Sequence, residues 1–154
     1  MEYLYTSPIG PLMIVSNGNG ITHINFSAPG KPGQTDGQIA LVCDYLDAYF
    51  SGQQPELNGI VCMPSGTPFQ MRIWNYLREI PYGRTVTYGA LAKRYAMEFG
   101  LDKMSAQAVG QAVGANPIPI LIPCHRVVGA GGKLTGFSGG LEKKITLLQI
   151  EKAL

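Results

Sequence analysis

Residues 114–129 read GANPIPILIPCHRVVG, an apolar, proline-punctuated run ending in a thiol, an imidazole and a guanidinium side by side: Cys124, His125 and Arg126. Two potential cations beside a cysteine lower a thiol pKa from about 8.5 and favour the thiolate, the form that attacks carbon. The expectation is therefore an ionised sulfur at Cys124. Neighbouring side chains of an extended segment point to opposite faces, so His125 has to act on the sulfur through a bend or a water. A Cys-His dipeptide alone does not establish chemistry, because a buried structural thiol beside surface charges is the commoner arrangement.

Three kinds of chemistry compete for such a thiol. A cysteine hydrolase needs a base, an orienting Asn or Asp and an oxyanion hole, and the only other histidine, His23, falls in an expected strand of the first half. A metal site lacks ligands at suitable spacing: with Cys43 and Cys62 the chain has three cysteines, no CxxC pair and two histidines, so no metal is expected. A thiol that accepts a group from nucleic acid needs only an activated sulfur beside a DNA-binding helix. Charge favours that third class. Residues 1–64 carry one lysine against five acids, and residues 65–154 carry eleven basic residues against five acids, so the second half suits a polyanion.

Composition sets the frame for this site. With 154 residues, 45% apolar and 14% charged, the chain can bury a core, as one domain or as two small ones. The longest apolar run falls well short of the roughly 20 residues that cross a bilayer, so no membrane contact is expected. Without a basic, apolar leader, and with cysteines that suggest no disulfide framework, the chain is expected in the cytoplasm. There it would sit at the nucleoid in a bacterium or archaeon, or in the nucleus in a eukaryote.

The first half, YLYTSPIGPLMIVSNGNGITHINFS, alternates β-branched and aromatic residues with turn residues and predicts two or three strands, NGNG being a hairpin turn. SAPGKPGQTDG reads as a loop, QIALVCDYLDAYFSG as a helix carrying Cys43, and IVCMPSGTP as a last strand and a linker. The domain boundary is expected there, giving domains 1–64 and 65–154. Thr67 and Pro68 then open a helix, with Phe69 and Trp74 on its core face, that Pro81-Tyr82-Gly83 ends. Thr87 caps a helix from Tyr88 that Gly100 closes, and Ser105 caps AQAVGQAVGAN. A strand over IPILIP and a strand pair over RVVGAGGKLTGFSGG would complete a helix-turn-helix with a wing-like hairpin, and an amphipathic helix closes the chain.

NPIPILIPCHRVV followed by SGG resembles the O6-alkylguanine-DNA alkyltransferases, or methylated-DNA–protein-cysteine methyltransferases. TYGALA, AVGQAVGANP, IPCHRV, GFSGGL and LLQIEK follow in the family's order over residues 67–154. The resemblance implies an α/β protein with a ribonuclease-H-like N-terminal domain and a winged helix-turn-helix C-terminal domain, acting as a monomer without a cofactor. It also implies irreversible transfer of an alkyl group, from O6 of guanine or O4 of thymine in double-stranded DNA, onto the protein's own cysteine. Cys124 would be the acceptor, His125 the base acting through water, and Glu151 the carboxylate that orients the imidazole. Tyr88 would offer its hydroxyl to the base, the Ser138 N–H would face O6, and carbonyls at Cys124 and Val127 would accept from the exocyclic amine. Val113 and Phe137 would shape the base pocket. Asn116 would be the hinge asparagine, and Ser105, Gln107 and Ala108 would meet DNA on the recognition helix. Arg126 is expected to be structural or to face a phosphate.

Two departures from the family pattern stand out. Gln107 occupies the place where most relatives carry an arginine that fills the stack vacated by an extruded base, which implies weaker flipping or DNA binding. The segment KRYAMEFGLDKM is longer than the pattern expects and would present Lys93, Arg94 or Lys103 to phosphates. Two rivals remain: a non-enzymatic reader of alkylated DNA, disfavoured because such readers lack the cysteine, and a redox sensor at Cys124.

Overall fold

The computed structural model describes residues 1–26, 33 and 35–154, which divide into two compact units. One comprises Met1–Ser65 with Pro117–Leu121, and the other Gly66–Asn116 with Ile122–Leu154.

In the first unit, β1 (Glu2–Ser7), β2 (Gly10–Ser16) and β3 (Ile21–Asn25) form an antiparallel sheet in chain order. The NGNG turn forms as expected: the Asn17 side-chain oxygen accepts from the N–H groups of Asn19 (2.9 Å) and Gly20 (3.0 Å), and Gly18 takes the left-handed φ of 91°. Helix α1 (Gly37–Phe50) packs on the sheet and buries Ile39, Val42, Leu46 and Tyr49. Its N-cap is Asp36, whose carboxylate accepts from the Ile39 N–H at 2.8 Å. The expected last strand reduces to one parallel bridge between Cys62 and Ile21, in which the Ile21 N–H donates to the Val61 carbonyl and the Met63 N–H to the Ile21 carbonyl, both at 2.7 Å. The loop expected over SAPGKPGQTDG lies largely outside the described residues.

The second unit begins with α2 (Pro68–Arg78). Thr67 and Gln70 form a reciprocal capping box, each side chain accepting from the other's backbone N–H, at 3.1 and 2.9 Å. Trp74 is buried, and its indole N–H donates to the Ala112 carbonyl at 2.8 Å, while half-buried Phe69 meets Tyr95 edge-on. Two-residue β4 (Val86–Thr87) leads into α3 (Tyr88–Glu98), whose cap is Thr87, accepting from the Ala90 N–H at 3.0 Å. Gly100, at φ 64°, ends that helix, and the Leu101 N–H returns to the Ala96 carbonyl at 2.8 Å. Helix α4 (Ala106–Gly114) is capped by Ser105 and packs on both α2 and α3, completing the helix-turn-helix.

Two expected elements do not form. Residues 117–123 make turns, not a strand: three prolines remove backbone donors, and Ile120 takes a positive φ of 72°. The Pro117 carbonyl instead accepts from the Ile24 N–H, at 2.9 Å, within the first unit. The expected wing hairpin is a single strand, β5 (Val127–Val128), that pairs in parallel with β4 and is followed by a 3-10 turn at Ala130–Gly132. Gly131, Gly132 and Gly140 adopt positive φ, which breaks any regular ladder there. Helix α5 (Leu141–Ile150) closes the chain.

Candidate active site

Cys124 opens a 3-10 turn, Cys124–Arg126, held between the link after α4 and β5. The turn stands in place of the extended segment that the sequence reading assumed there. At its entrance the Asn116 side-chain amide donates to the Ile122 carbonyl at 2.7 Å, a buried bond that closes the loop between α4 and the cysteine. At its exit Val127 pairs with Val86, which ties the turn to the residue two before Tyr88. Val127 itself is fully buried in β5.

Cys124 borders a cavity of about 750 Å³ in the second unit. Of the residues expected at the base pocket, Tyr88, Val113, Phe137 and Ser138 line it, and Gln107 stands at its rim. Ser105 is occupied as the cap of α4, its hydroxyl accepting from the half-buried Ala108 at 3.2 Å.

His125 and Glu151 meet at 2.5 Å between Nε2 and a carboxylate oxygen, and neither side chain has any exposure to solvent. Glu151 stands at the C-cap of α5, where a surface acid would be ordinary, yet it is one of the most buried polar residues in the chain. Three further donors converge on it: Arg126 Nε at 2.8 Å, Arg126 Nη2 at 3.2 Å and the Gly83 N–H at 3.0 Å. Because the carboxylate accepts, the imidazole carries its proton on Nε2 and its lone pair on Nδ1. Burial lowers the His125 pKa from its ordinary value, with Arg126 and Lys144 acting in the same direction against the pull of Glu151, so the ring is neutral.

The structure bears on three expectations, correcting the first and deciding the second. The Cys124 sulfur is a thiol at rest, its pKa pushed up to about 11 by burial, which outweighs the favourable Asn116 amide and Lys144 ammonium. Arg126 is buried against Glu151 and also donates Nη1 to the Ile80 carbonyl at 2.8 Å, so it is structural and does not face a phosphate. Arg94 pairs with Glu79 at 2.8 Å and sets its guanidinium carbon 4.0 Å from the Tyr76 ring centroid while its side chain stays exposed, so it remains a surface cation of that segment.

Sequence reasoning missed Lys144. It sits on α5 with no exposed surface, its Nζ 3.5 Å from the Tyr88 hydroxyl and 3.2 Å from the Thr135 carbonyl. Its spacing on an amphipathic helix marks nothing, since EKK in a first turn reads as a solvated face. The Gly83 N–H that holds Glu151 was equally invisible, being a backbone group in a turn.

The family model described as 6-O-methylguanine DNA methyltransferase, DNA binding domain, matches residues 68–153, and the one described as its ribonuclease-like domain matches residues 1–61. A methylated-DNA–protein-cysteine methyltransferase of Haemophilus influenzae is 44% identical over 96% of this chain and 84% of its own length. One from Methanosarcina acetivorans is 38% identical over 96% of both chains. Among solved structures, Mycobacterium tuberculosis OGT in complex with DNA superposes with a TM-score of 0.83 at 39% identity, covering 99% of this chain and 92% of that one. A buried cysteine bordering a cavity, beside a buried histidine–carboxylate pair, thus occurs in a chain matched along nearly its whole length, and the chain belongs to the 6-O-methylguanine DNA methyltransferase family.

Proposed function

We propose that this protein repairs DNA by direct reversal, taking the alkyl group from O6 of a guanine in duplex DNA onto Cys124, once per molecule. One observation carries the reading: Cys124 borders a cavity of about 750 Å³ while the adjacent His125 is buried against Glu151 at 2.5 Å. A thiol pKa near 11 means that the proton must leave as the sulfur attacks, and a neutral imidazole is the group equipped to receive it.

In this reading His125 takes the thiol proton through a water, on Nδ1, and Glu151 balances the resulting imidazolium. The sulfur–carbon bond forms as the O6–carbon bond breaks, and the bonding pair departs on the guanine ring. Tyr88 donates its O–H toward the base, the Ser138 N–H faces O6, and the Lys144 ammonium beside the Tyr88 oxygen favours that donation. The Cys124 carbonyl accepts from the exocyclic amine, Val113 and Phe137 flank the ring, and Asn116 fixes the cysteine turn, while Val127, fully buried and outside the cavity lining, supports that turn through β5. Helix α4 meets DNA through Ser105, Gln107 and Ala108. The target base has to leave the duplex to reach the sulfur, at a cost of a few kcal/mol in stacking and pairing.

Incubation with O6-methylguanine DNA followed by intact-mass and peptide analysis tests the reading. One methyl on the Cys124 peptide, absent in Cys124→Ala, is the expected result. Binding to methylated DNA without a mass change, or oxidation of Cys124 alone, would replace it with a lesion reader or a redox sensor.

A further inference from the structure

We propose that the turn over residues 81–84 is a positioning element for the transfer reaction: through Gly83 it clamps the end of α5 and so sets the contact between Glu151 and His125. The proposal rests on the alkyltransferase reading above and extends it to a segment outside the cavity lining.

Glu151 needs support from outside its own helix. It is the C-cap of α5, and Lys152 behind it takes a left-handed φ of 56°, so the chain leaves the helix at once. Helix ends fray, and their last carbonyls have no partner within the helix. An acid that orients the proton acceptor is poorly placed there unless another segment holds that end. The link between α2 and β4 does so at three points. The Tyr82 hydroxyl donates to the Ile150 carbonyl at 3.3 Å, and the Gly83 N–H donates to Glu151 Oε1 at 3.0 Å. The Gly83 backbone also lies so close that a Cβ built on it would sit 3.2 Å from the Glu151 carbonyl oxygen. Just before the turn, the Ile80 carbonyl accepts from Arg126, whose guanidinium carbon lies 5.8 Å from the Tyr82 ring centroid. The link therefore holds both members of the buried Arg126–Glu151 pair.

The position selects glycine twice over. The Arg84 N–H closes the turn on the Pro81 carbonyl at 3.1 Å, and Gly83 takes a φ of 78° inside it. A side chain at residue 83 would meet backbone, which yields only by moving the end of α5 and the carboxylate with it. His125 would feel that shift. Three charged groups bear on its ring: Glu151 raises its basicity, while Arg126 and Lys144 lower it alongside burial. Tyr82 faces Glu151 and Arg126 from the turn. Drawing Glu151 back weakens the one favourable partner of an imidazolium among these groups, so the ring becomes a poorer base and is less firmly aimed.

The test is single-turnover transfer from O6-methylguanine in duplex DNA by the full chain, followed across the acid range and compared where circular dichroism shows each variant folded. A displacement of a few tenths of an ångström predicts that Gly83→Ala slows transfer about tenfold on its plateau. The acid limb, where His125 takes up a proton and can no longer accept one, should move to lower pH by about half a unit. Tyr82→Phe leaves the turn backbone as it is, and should move the limb the same way with a smaller loss of rate. Gly52→Ala is the control: its φ of 90° imposes similar backbone strain, but a Cβ there meets nothing within 4 Å, and it lies in the first unit. Its rate and profile should match the parent's. Transfer by Gly83→Ala at the parent's rate, slowing with the acid limb unmoved or raised, equal slowing in Gly52→Ala, or an unchanged profile in Tyr82→Phe overturns the proposal. Absence of transfer by the parent protein overturns the alkyltransferase reading and this proposal with it.

Discussion

Replacing Glu151 by glutamine keeps the side-chain shape and removes the charge on which four donor contacts converge, from His125, Arg126 twice and the Gly83 N–H. Arg126, only 7% exposed, would be left as a buried guanidinium with the Ile80 carbonyl as its remaining acceptor in this cluster. Breaking a buried pair from one side typically costs about 3–5 kcal/mol, and glutamine keeps one acceptor oxygen, so the lower end, about 3 kcal/mol, is expected. At roughly 2–4 °C per kcal/mol for a chain of this size, Tm should fall by about 6–12 °C, measurable by circular dichroism. Methyl transfer, measured under conditions where the variant is folded, should slow at least about a hundredfold, because the imidazolium loses its counter-charge. The double variant Glu151→Gln, Arg126→Met removes the stranded cation and should recover a good part of the stability without recovering transfer. A single variant within about 1 kcal/mol of the parent, or a double variant that regains its transfer rate, would refute the reasoning.

Other outcomes follow from the same geometry. The His125 pKa is lowered in the folded protein, so its contribution to stability is present above the ordinary value of 6.5 and is lost as pH falls below it toward the folded value; urea midpoints from pH 7 to 5 should decline through that window, and a flat profile would count against a neutral buried ring. For Cys124 the pKa is raised, so its contribution holds below the ordinary value of 9.0 and is lost as pH rises through about 11. Iodoacetamide should accordingly label Cys124 slowly at pH 7 and faster with each step toward pH 11; fast labelling at pH 7 would mean a resting thiolate. Asn116→Ala removes the 2.7 Å amide donor from the buried Ile122 carbonyl, which keeps the Cys124 N–H at 2.8 Å, and should cost about 1 kcal/mol by urea denaturation, no measurable loss refuting a pinned turn. Gln107→Arg should raise the transfer rate on duplex DNA and leave the single-strand rate unchanged, and an unchanged duplex rate would show that the neutral residue imposes no penalty.

The sequence alone determined the pieces whose signals act within about four residues. Thr67, Thr87 and Ser105 cap the helices they were expected to cap, Gly100 ends α3, and NGNG turns the second hairpin, since each acts through a hydrogen bond or a φ angle that the local residues supply. The order of motifs around Pro123-Cys124-His125-Arg126 likewise made the family legible. Local pattern failed where two tendencies competed: IPILIP is β-branched, but its prolines and the left-handed Ile120 turn it away from a strand. Protonation and partnership were decided only in three dimensions. Arg126 and Glu151 are 25 residues apart, and Lys144 reaches Tyr88 across 56, so no window of sequence shows that one cation is neutralised in the interior while the other supports a hydroxyl at the cavity. The resting state of Cys124 has the same origin: its neighbours in sequence are potential cations, but desolvation depends on how the whole unit closes around the sulfur, and it is the larger effect.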